Sequence, residues 1–242
     1  MQDFNTLYHK SNTTEATIFQ NWSLILCLII IICLSLLPAV LVYAKEVGNN
    51  ISLYYKGLVL DKSGNYTGAI LYYDKVLAMD PHYVNALTSK GLTLDKLGNY
   101  TGAILYYDKA LAIQPNDNYV LDLTGIALNN LRNFTGAIQY FDKALAMDPK
   151  DEAALTCKGV VLDDLGNHTG AIQYFDKVLA LQPNDNYVLD LTGMTLNKLG
   201  NYTGAIQYFD KALAMDPKDE VALYNKNNSF DHLGFLVSKP GT

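Results

Sequence analysis

Apolar positions divide the chain into two regions. Trp22 to Ala44 runs without a charged side chain, whereas from about Asn50 to Leu233 apolar residues recur in short stripes separated by polar turns. Within Val84 to Asp117, Leu87, Leu94 and Leu97 mark one stripe, which Gly98-Asn99 interrupts. A second stripe follows at Ala103, Ile104, Tyr107, Ala110 and Leu111. Spacings of three, four and seven residues bring side chains onto one face of an α-helix. The pattern predicts two helices joined by a tight turn, the second ended by Pro115, which lacks the N–H that helix continuation needs.

This two-helix unit recurs. Pro81, Pro115, Pro149, Pro183 and Pro217 are each 34 residues apart, as are Gly57, Gly91, Gly125, Gly159 and Gly193. Ala69, Ala103, Ala137, Ala171 and Ala205 keep the same spacing, as do Tyr73, Tyr107, Phe141, Phe175 and Phe209. Val84–Asp151 and Glu152–Asp219 share the string Pro-Asn-Asp-Asn-Tyr-Val-Leu-Asp-Leu-Thr-Gly, so the array grew partly by duplicating a pair of units. Gly91, Ala103 and Ala110 remove bulk where two helices approach, and Tyr107 is large enough to reach the next unit. One hairpin cannot bury its own apolar face, so the units must stack. Glu220 to about Leu233 replaces the packing glycine by Asn227 and adds Asn225, Lys226 and Asn228, which predicts a solvating closing helix. Phe235–Thr242 reads as a frayed tail.

Leu87, Gly91, Leu94, Ala103, Tyr107, Ala110 and Pro115 fall where the tetratricopeptide repeat has its signature residues, and the sequence resembles that family from Asn50 to Asp219. The units are 50–83, 84–117, 118–151, 152–185 and 186–219, followed by a capping helix over 220–234 and the tail 235–242. The resemblance implies an all-α fold, a right-handed α-solenoid of stacked helix hairpins. Val76 and Val178 depart from it at the last small position, and Arg132 stands where the turn glycine belongs. Gly68, Gly102, Gly136, Gly170 and Gly204 occupy a position where the family often has Glu. A helical glycine costs up to about 1 kcal/mol against alanine, and the sequence offers no reason for these five.

As a helix rising ~1.5 Å per residue, Trp22–Ala44 reaches about 34 Å, enough for a bilayer core of about 30 Å. Trp22 and Tyr43 stand at its ends, where amphipathic rings suit the headgroup zone. The expectation is one transmembrane helix at 22–44, after a polar segment 1–21 and before a linker 45–49. The alternative is a signal peptide cleaved near Ala44, since Val42-Tyr43-Ala44 follows Pro38.

Net charge is −6, with 18 Lys and Arg in total, which argues against a general nucleic-acid binder. Cys27 and Cys33 lie in the apolar run and Cys157 stands alone, so no disulfide framework is expected. His9, His82, His168 and His232 are too dispersed for a metal site, and no nucleophile motif occurs. Asp163 and Asp164 are sequence neighbours, which do not face each other on a helix. Neither an enzyme nor a cofactor, metal or small-molecule substrate is expected.

The resemblance implies that a partner peptide lies in a concave groove lined by the first helix of each unit. Helical phase maps Tyr54, Asp61, Asn85, Thr88, Asp95, Tyr119, Asp122, Asn129, Asp163, Tyr187, Asp190 and Asn197 to that face. The family's Lys–Asn clamp for acidic tails is absent. The aspartates beside Tyr119 and Tyr187 suit a neutral or basic partner segment, the competing reading being that they only solvate an exposed face.

Asn65, Asn99, Asn133, Asn167 and Asn201 each begin an Asn-x-Thr triplet in the turn within a unit, and Asn50 and Asn227 begin two more Asn-x-Ser triplets. These are N-glycosylation acceptors. Local structure is the competing explanation, with Asn tolerating a left-handed conformation and Thr capping the second helix. The expected function is a membrane-tethered protein–protein interaction module, a scaffold or adaptor, with its repeats outside the cytoplasm. Alternatives are a self-associating envelope component, a secreted binding protein, and a tethered array facing the cytoplasm. Lys10 before the span and Lys45 and Lys56 after it leave orientation open.

Overall fold

The computed structural model describes residues 48–238, with side chains through residue 234. The segment 1–21 and the apolar run 22–44 lie outside the described residues. No helix of the described residues is long and apolar enough to cross a membrane. The chain divides into two compact units, Met1–Tyr55 and Lys56–Thr242. Of the first, residues 48–55 are described, and they begin a helix, α1, that runs to residue 62.

Among the described residues all regular structure is helical. After α1 come α2 (Tyr66–Met79), α3 (Val84–Lys96), α4 (Tyr100–Ile113), α5 (Asn118–Asn130), α6 (Phe134–Met147), α7 (Glu152–Asp164), α8 (His168–Leu181), α9 (Asn186–Lys198), α10 (Tyr202–Met215) and α11 (Glu220–Ser238). Odd and even helices alternate as the first and second members of each hairpin.

One residue closes the first helix and opens the second. The N–H of Asn99 donates to Leu94 O at 2.9 Å and that of Gly98 to Asp95 O at 2.8 Å, the paired bonds of a Schellman C-terminus. Gly98 takes the left-handed conformation this requires, with φ 76°. Oδ1 of Asn99 then accepts from Gly102 N at 2.9 Å and caps α4. Asn65, Asn133, Asn167 and Asn201 cap their helices in the same way. The left-handed residue is therefore the one before the asparagine, and the cap is the asparagine rather than the threonine, so the competing local explanation holds with both roles reassigned.

The recurrent glycine now has a physical reason. A Cβ on Gly102 would lie 2.7 Å from Nδ2 of Asn99, because the capping amide folds over that position. The corresponding distances at Gly68, Gly136, Gly170 and Gly204 are 2.9, 2.9, 2.6 and 2.8 Å.

Packing follows the small-residue pattern. Tyr107 is fully buried with Leu87, Ala103, Ala110, Val120 and Ala127, so it joins its own hairpin to α5 of the next. Leu97 is not part of the buried stripe: it follows the end of α3 and is 49% exposed. The closing helix also differs from expectation. It runs past residue 234 to Ser238, and Val221, Leu223, Tyr224 and Phe230 on it are all exposed. Leu223 stands where Leu189 is buried one unit earlier; among the described residues no second helix follows to cover it.

The backbones of successive odd helices come close, α3 to α5, α5 to α7, α7 to α9 and α9 to α11, whereas among the described residues the backbones of the even helices stay apart and meet only through side chains. The odd row therefore follows the shorter, inner curve. Polar ties reinforce the outer side. Lys90, buried, pairs with Asp74 and donates to Tyr106 Oη at 2.7 Å, and Lys158 pairs with Asp142. In the intervening units Thr124 and Thr192 turn back to Val120 O and Val188 O, and Tyr140 Oη donates directly to Asp108 at 3.1 Å.

Candidate functional site

The inner row of odd helices carries the residues assigned to the groove, and the structure sorts them into three groups. The first is tied up between units. Asp61 accepts from Thr93 Oγ1 at 2.9 Å and pairs with Lys96. Asp163 lies 2.7 Å from His168 Nδ1 and 2.5 Å from Lys198 Nζ, and Asn197 Oδ1 accepts from Ser229 Oγ at 2.9 Å. These side chains fasten one inner helix to the next, and the charge of Asp61 and of Asp163 is largely spent inside the fold. Sequence spacing treats them as free because Lys96, Lys198 and Ser229, which hold them, lie about a whole unit away.

The second group is open to solvent: Asn85, Tyr119 and Tyr187, the tyrosines 59% and 63% exposed. Tyr54 belongs to the first compact unit, half-buried, with its ring centroid 5.8 Å from that of Tyr55.

The third group is covered and incompletely paired. Asp122 and Asp190 are 6% and 8% exposed, and Thr88 is also buried. Oδ1 of Asp95, Asp122, Asn129 and Asp190 is buried without a hydrogen-bond partner. Among the described residues no lysine or arginine pairs with Asp95, Asp122 or Asp190. Burial, and then the nearby Asp151 carboxylate, pushes the Asp122 carboxyl up to about 7. Burial and Asp219 push Asp190 up to about 6, and burial raises Asp95. Asp151 and Asp219 are themselves helix caps, accepting from Ala154 N and Ala222 N at 3.1 Å, so their charge faces a helix N-terminus that favours it. The buried partner of each pair then holds the proton more tightly.

Between α5, α7 and α9 the inner face opens into a cavity of about 200 Å³ lined by Ile126, Asn129, Phe141, Thr156, Cys157, Val160, Val161 and Tyr187. Sequence reasoning placed Asn129 and Tyr187 on this face but missed Cys157 and Val160, whose apolar character reads as core. Burial pushes the Cys157 thiol up to about 12, so it serves as an apolar wall and not as a nucleophile. Among the described residues no group of three or more His, Cys, Asp or Glu is placed to hold a metal ion. The five triplet asparagines are exposed along the edge where the hairpins turn.

The geometry agrees with known proteins. The tetratricopeptide-repeat family profile matches residues 54–118 and 123–186, and a second profile of the same description matches 190–219. No curated protein matches the chain. Among solved structures, MamA is 27% identical over 71% of this chain and 94% of its own, with a TM-score of 0.61. YrrB, described as a tetratricopeptide-repeat protein with an unusual peptide-binding site, is 23% identical over 77% of this chain and 97% of its own, with a TM-score of 0.61. PilF of Pseudomonas aeruginosa is 21% identical over 82% and 95%, with a TM-score of 0.64. Repeat spacing, hairpin geometry and profile matches together place the chain in the tetratricopeptide-repeat family.

Proposed function

We propose that the chain is a membrane-tethered interaction module whose inner groove takes a neutral or basic segment of a partner protein. One observation carries this reading. The uncompensated polar atoms of the groove, Oδ1 of Asp95, Asp122, Asn129 and Asp190, are all acceptors, so a partner that brings N–H donors, charged or not, completes them. Tyr119 and Tyr187 add exposed aromatic surface beside them, the residue type enriched where peptides and proteins dock. The tether rests on the uncharged run Trp22–Ala44. The test is capture from native membranes with the full-length protein and its Asp122→Ala/Asp190→Ala variant. Partners held by the groove are lost from the variant. An unchanged set in unchanged amounts would remove the groove from the account.

A second reading concerns the side of the membrane. The cap explains the asparagine and the glycine of each turn, but Thr67, Thr101, Thr135, Thr169 and Thr203 are exposed at the second position of their helices with no hydrogen bond from the hydroxyl. An acidic residue there would favour the positive end of the helix. Recurrence of threonine instead supports glycan acceptors, and hence an extracytoplasmic array. Intact mass of the protein from its native membrane tests this: added sugar mass supports it, and a sugar-free mass speaks for bare turns.

A further inference from the structure

The cavity between α5, α7 and α9 is walled by Ile126, Cys157, Val160 and Tyr187, with Phe141 and Val161 behind them. At about 200 Å³ it exceeds the roughly 150 Å³ that suffices for a benzene ring in an apolar protein cavity. Tyr187 is 63% exposed, so the aromatic side of the cavity borders solvent.

One acceptor lines this apolar space and a second lies one helical turn from its wall. Asn129 lines the cavity and has its Oδ1 buried without a donor. Asp122 sits one turn before Ile126 on the same face of α5, with its own Oδ1 unpartnered. The titratable groups that act on this stretch are Asp151, the cap of the adjoining α7, and Cys157 within that helix, and neither brings a positive charge. Buried polar atoms in folded proteins are nearly always paired, and a carboxylate beside another carboxylate gains most from a cation.

The combination occurs once along the described inner face. In the duplicated copy, Asp190 and Asn197 repeat Asp122 and Asn129, but Asn225 and Asn228 stand in place of Cys157 and Val160, and Ser229 satisfies Asn197. One unit earlier, Ala153 replaces the tyrosine.

We propose that this cavity and its two acceptors form a composite subsite, which takes from one partner segment an apolar side chain of leucine or aromatic size next to a lysine or arginine. The subsite rests on the groove proposed above and narrows its ligand. The apolar side chain displaces water from Val160 and Ile126, and the neighbouring cation donates to Asp122 and Asn129. Each half alone gains little. An apolar residue without the cation leaves both acceptors buried and unpaired, and a cation without the apolar residue leaves the cavity wet.

The test uses the full-length protein, isotopically labelled on its Ile and Val methyl groups, and three peptides with a Gly-Ser background. Their central pairs are Leu-Arg, Leu-Glu and Ser-Arg. Leu-Arg is expected to bind at least about tenfold tighter than the other two, the range of one buried apolar group or one charge-assisted bond, and to shift the Ile126 and Val160 methyl signals. Val160→Asn, which copies Asn228 of the closing helix, should bring Leu-Arg down to the affinity of Ser-Arg. Asp122→Asn should remove the preference for Leu-Arg over Leu-Glu. Equal affinities for the three peptides overturn the subsite. If Val160→Asn leaves Leu-Arg binding intact while Asp95→Asn or Asp190→Asn abolishes it, the subsite is wrong and the groove still binds. If no inner-helix methyl signal moves with any peptide, both fall.

Discussion

A Cβ placed on Gly91 would lie 2.4 Å from Cε1 of Tyr107. The ring is fully buried and touches the next hairpin as well, so it has nowhere to retreat. Alanine should gain up to about 1 kcal/mol of helix propensity at this site, and overpacking should cost about 1–3 kcal/mol. The expected balance for Gly91→Ala is a loss of about 1–2 kcal/mol by urea unfolding. Adding Tyr107→Leu should recover part of it. Gly125, Gly159 and Gly193 face Phe141, Phe175 and Phe209 at 2.6, 2.4 and 2.5 Å and should respond alike. A stabilised Gly91→Ala protein would show that the ring moves freely.

The capping asparagine and its glycine should be energetically coupled. Asn99→Ala removes a side-chain cap and is expected to cost about 1 kcal/mol. Gly102→Ala alone should bring no benefit, because the new Cβ meets the capping amide. Made in the Asn99→Ala background, the same change should stabilise by a few tenths to about 1 kcal/mol, since only helix propensity remains. A double-mutant cycle measures the coupling, and additive effects would mean that the amide does not restrict this position.

The alternation of helix and turn was legible because a proline follows each second helix and a glycine closes four of the five first helices, and helix ends are set by residues that adopt left-handed φ or lack an N–H. That Tyr119, Asp122, Tyr187 and Asp190 stand on the first helix of their hairpins was legible for the same reason: a fixed place in a regular repeat. What escaped depends on contacts across units. Asp61 and Asp163 look like free groove charges until the stack brings Lys96 and Lys198 beside them. Cys157 and Val160 look like core until the curvature of the odd row leaves a cavity at their side. The turn asparagine looked like a left-handed residue because its double role, C-terminal bond of one helix and cap of the next, is defined by backbone geometry and not by residue type.

Arg132 is the one non-glycine residue with positive φ among the described residues, 60°, where the other four turns have glycine at 76–81°. A side chain in this conformation costs about 1–2 kcal/mol, offset in part because glycine loses more entropy on folding. The guanidinium rests 5.8 Å from the Phe134 ring centre, an exposed contact worth about 0.5 kcal/mol. Arg132→Gly should therefore stabilise the array by about 0.5–1 kcal/mol in urea melts. A destabilised variant would assign Arg132 a larger role in holding the turn than its geometry indicates.

Asp122 should make stability and binding respond to pH in opposite directions. Its carboxyl, held at about 7 by burial and by Asp151, has an ordinary value of 3.8. Between those values the folded chain keeps a proton that the unfolded chain has lost, so the stabilisation present at low pH disappears as pH rises through about 7. Asp122→Asn is neutral throughout, and from pH 5 to 8 the native protein should lose stability against it by on the order of 2–4 kcal/mol. Cys157, near 12, does not titrate in this window. The ionised form that weakens the fold is also the form that attracts a cation. The Ser-Arg peptide should accordingly bind more tightly at pH 8 than at pH 6, and lose that dependence in Asp122→Asn. Asp190 should follow the same course with its midpoint about one unit lower. Parallel stability curves for the native protein and the Asp122→Asn variant would place Asp122 in water, and with it the acceptor that the groove presents.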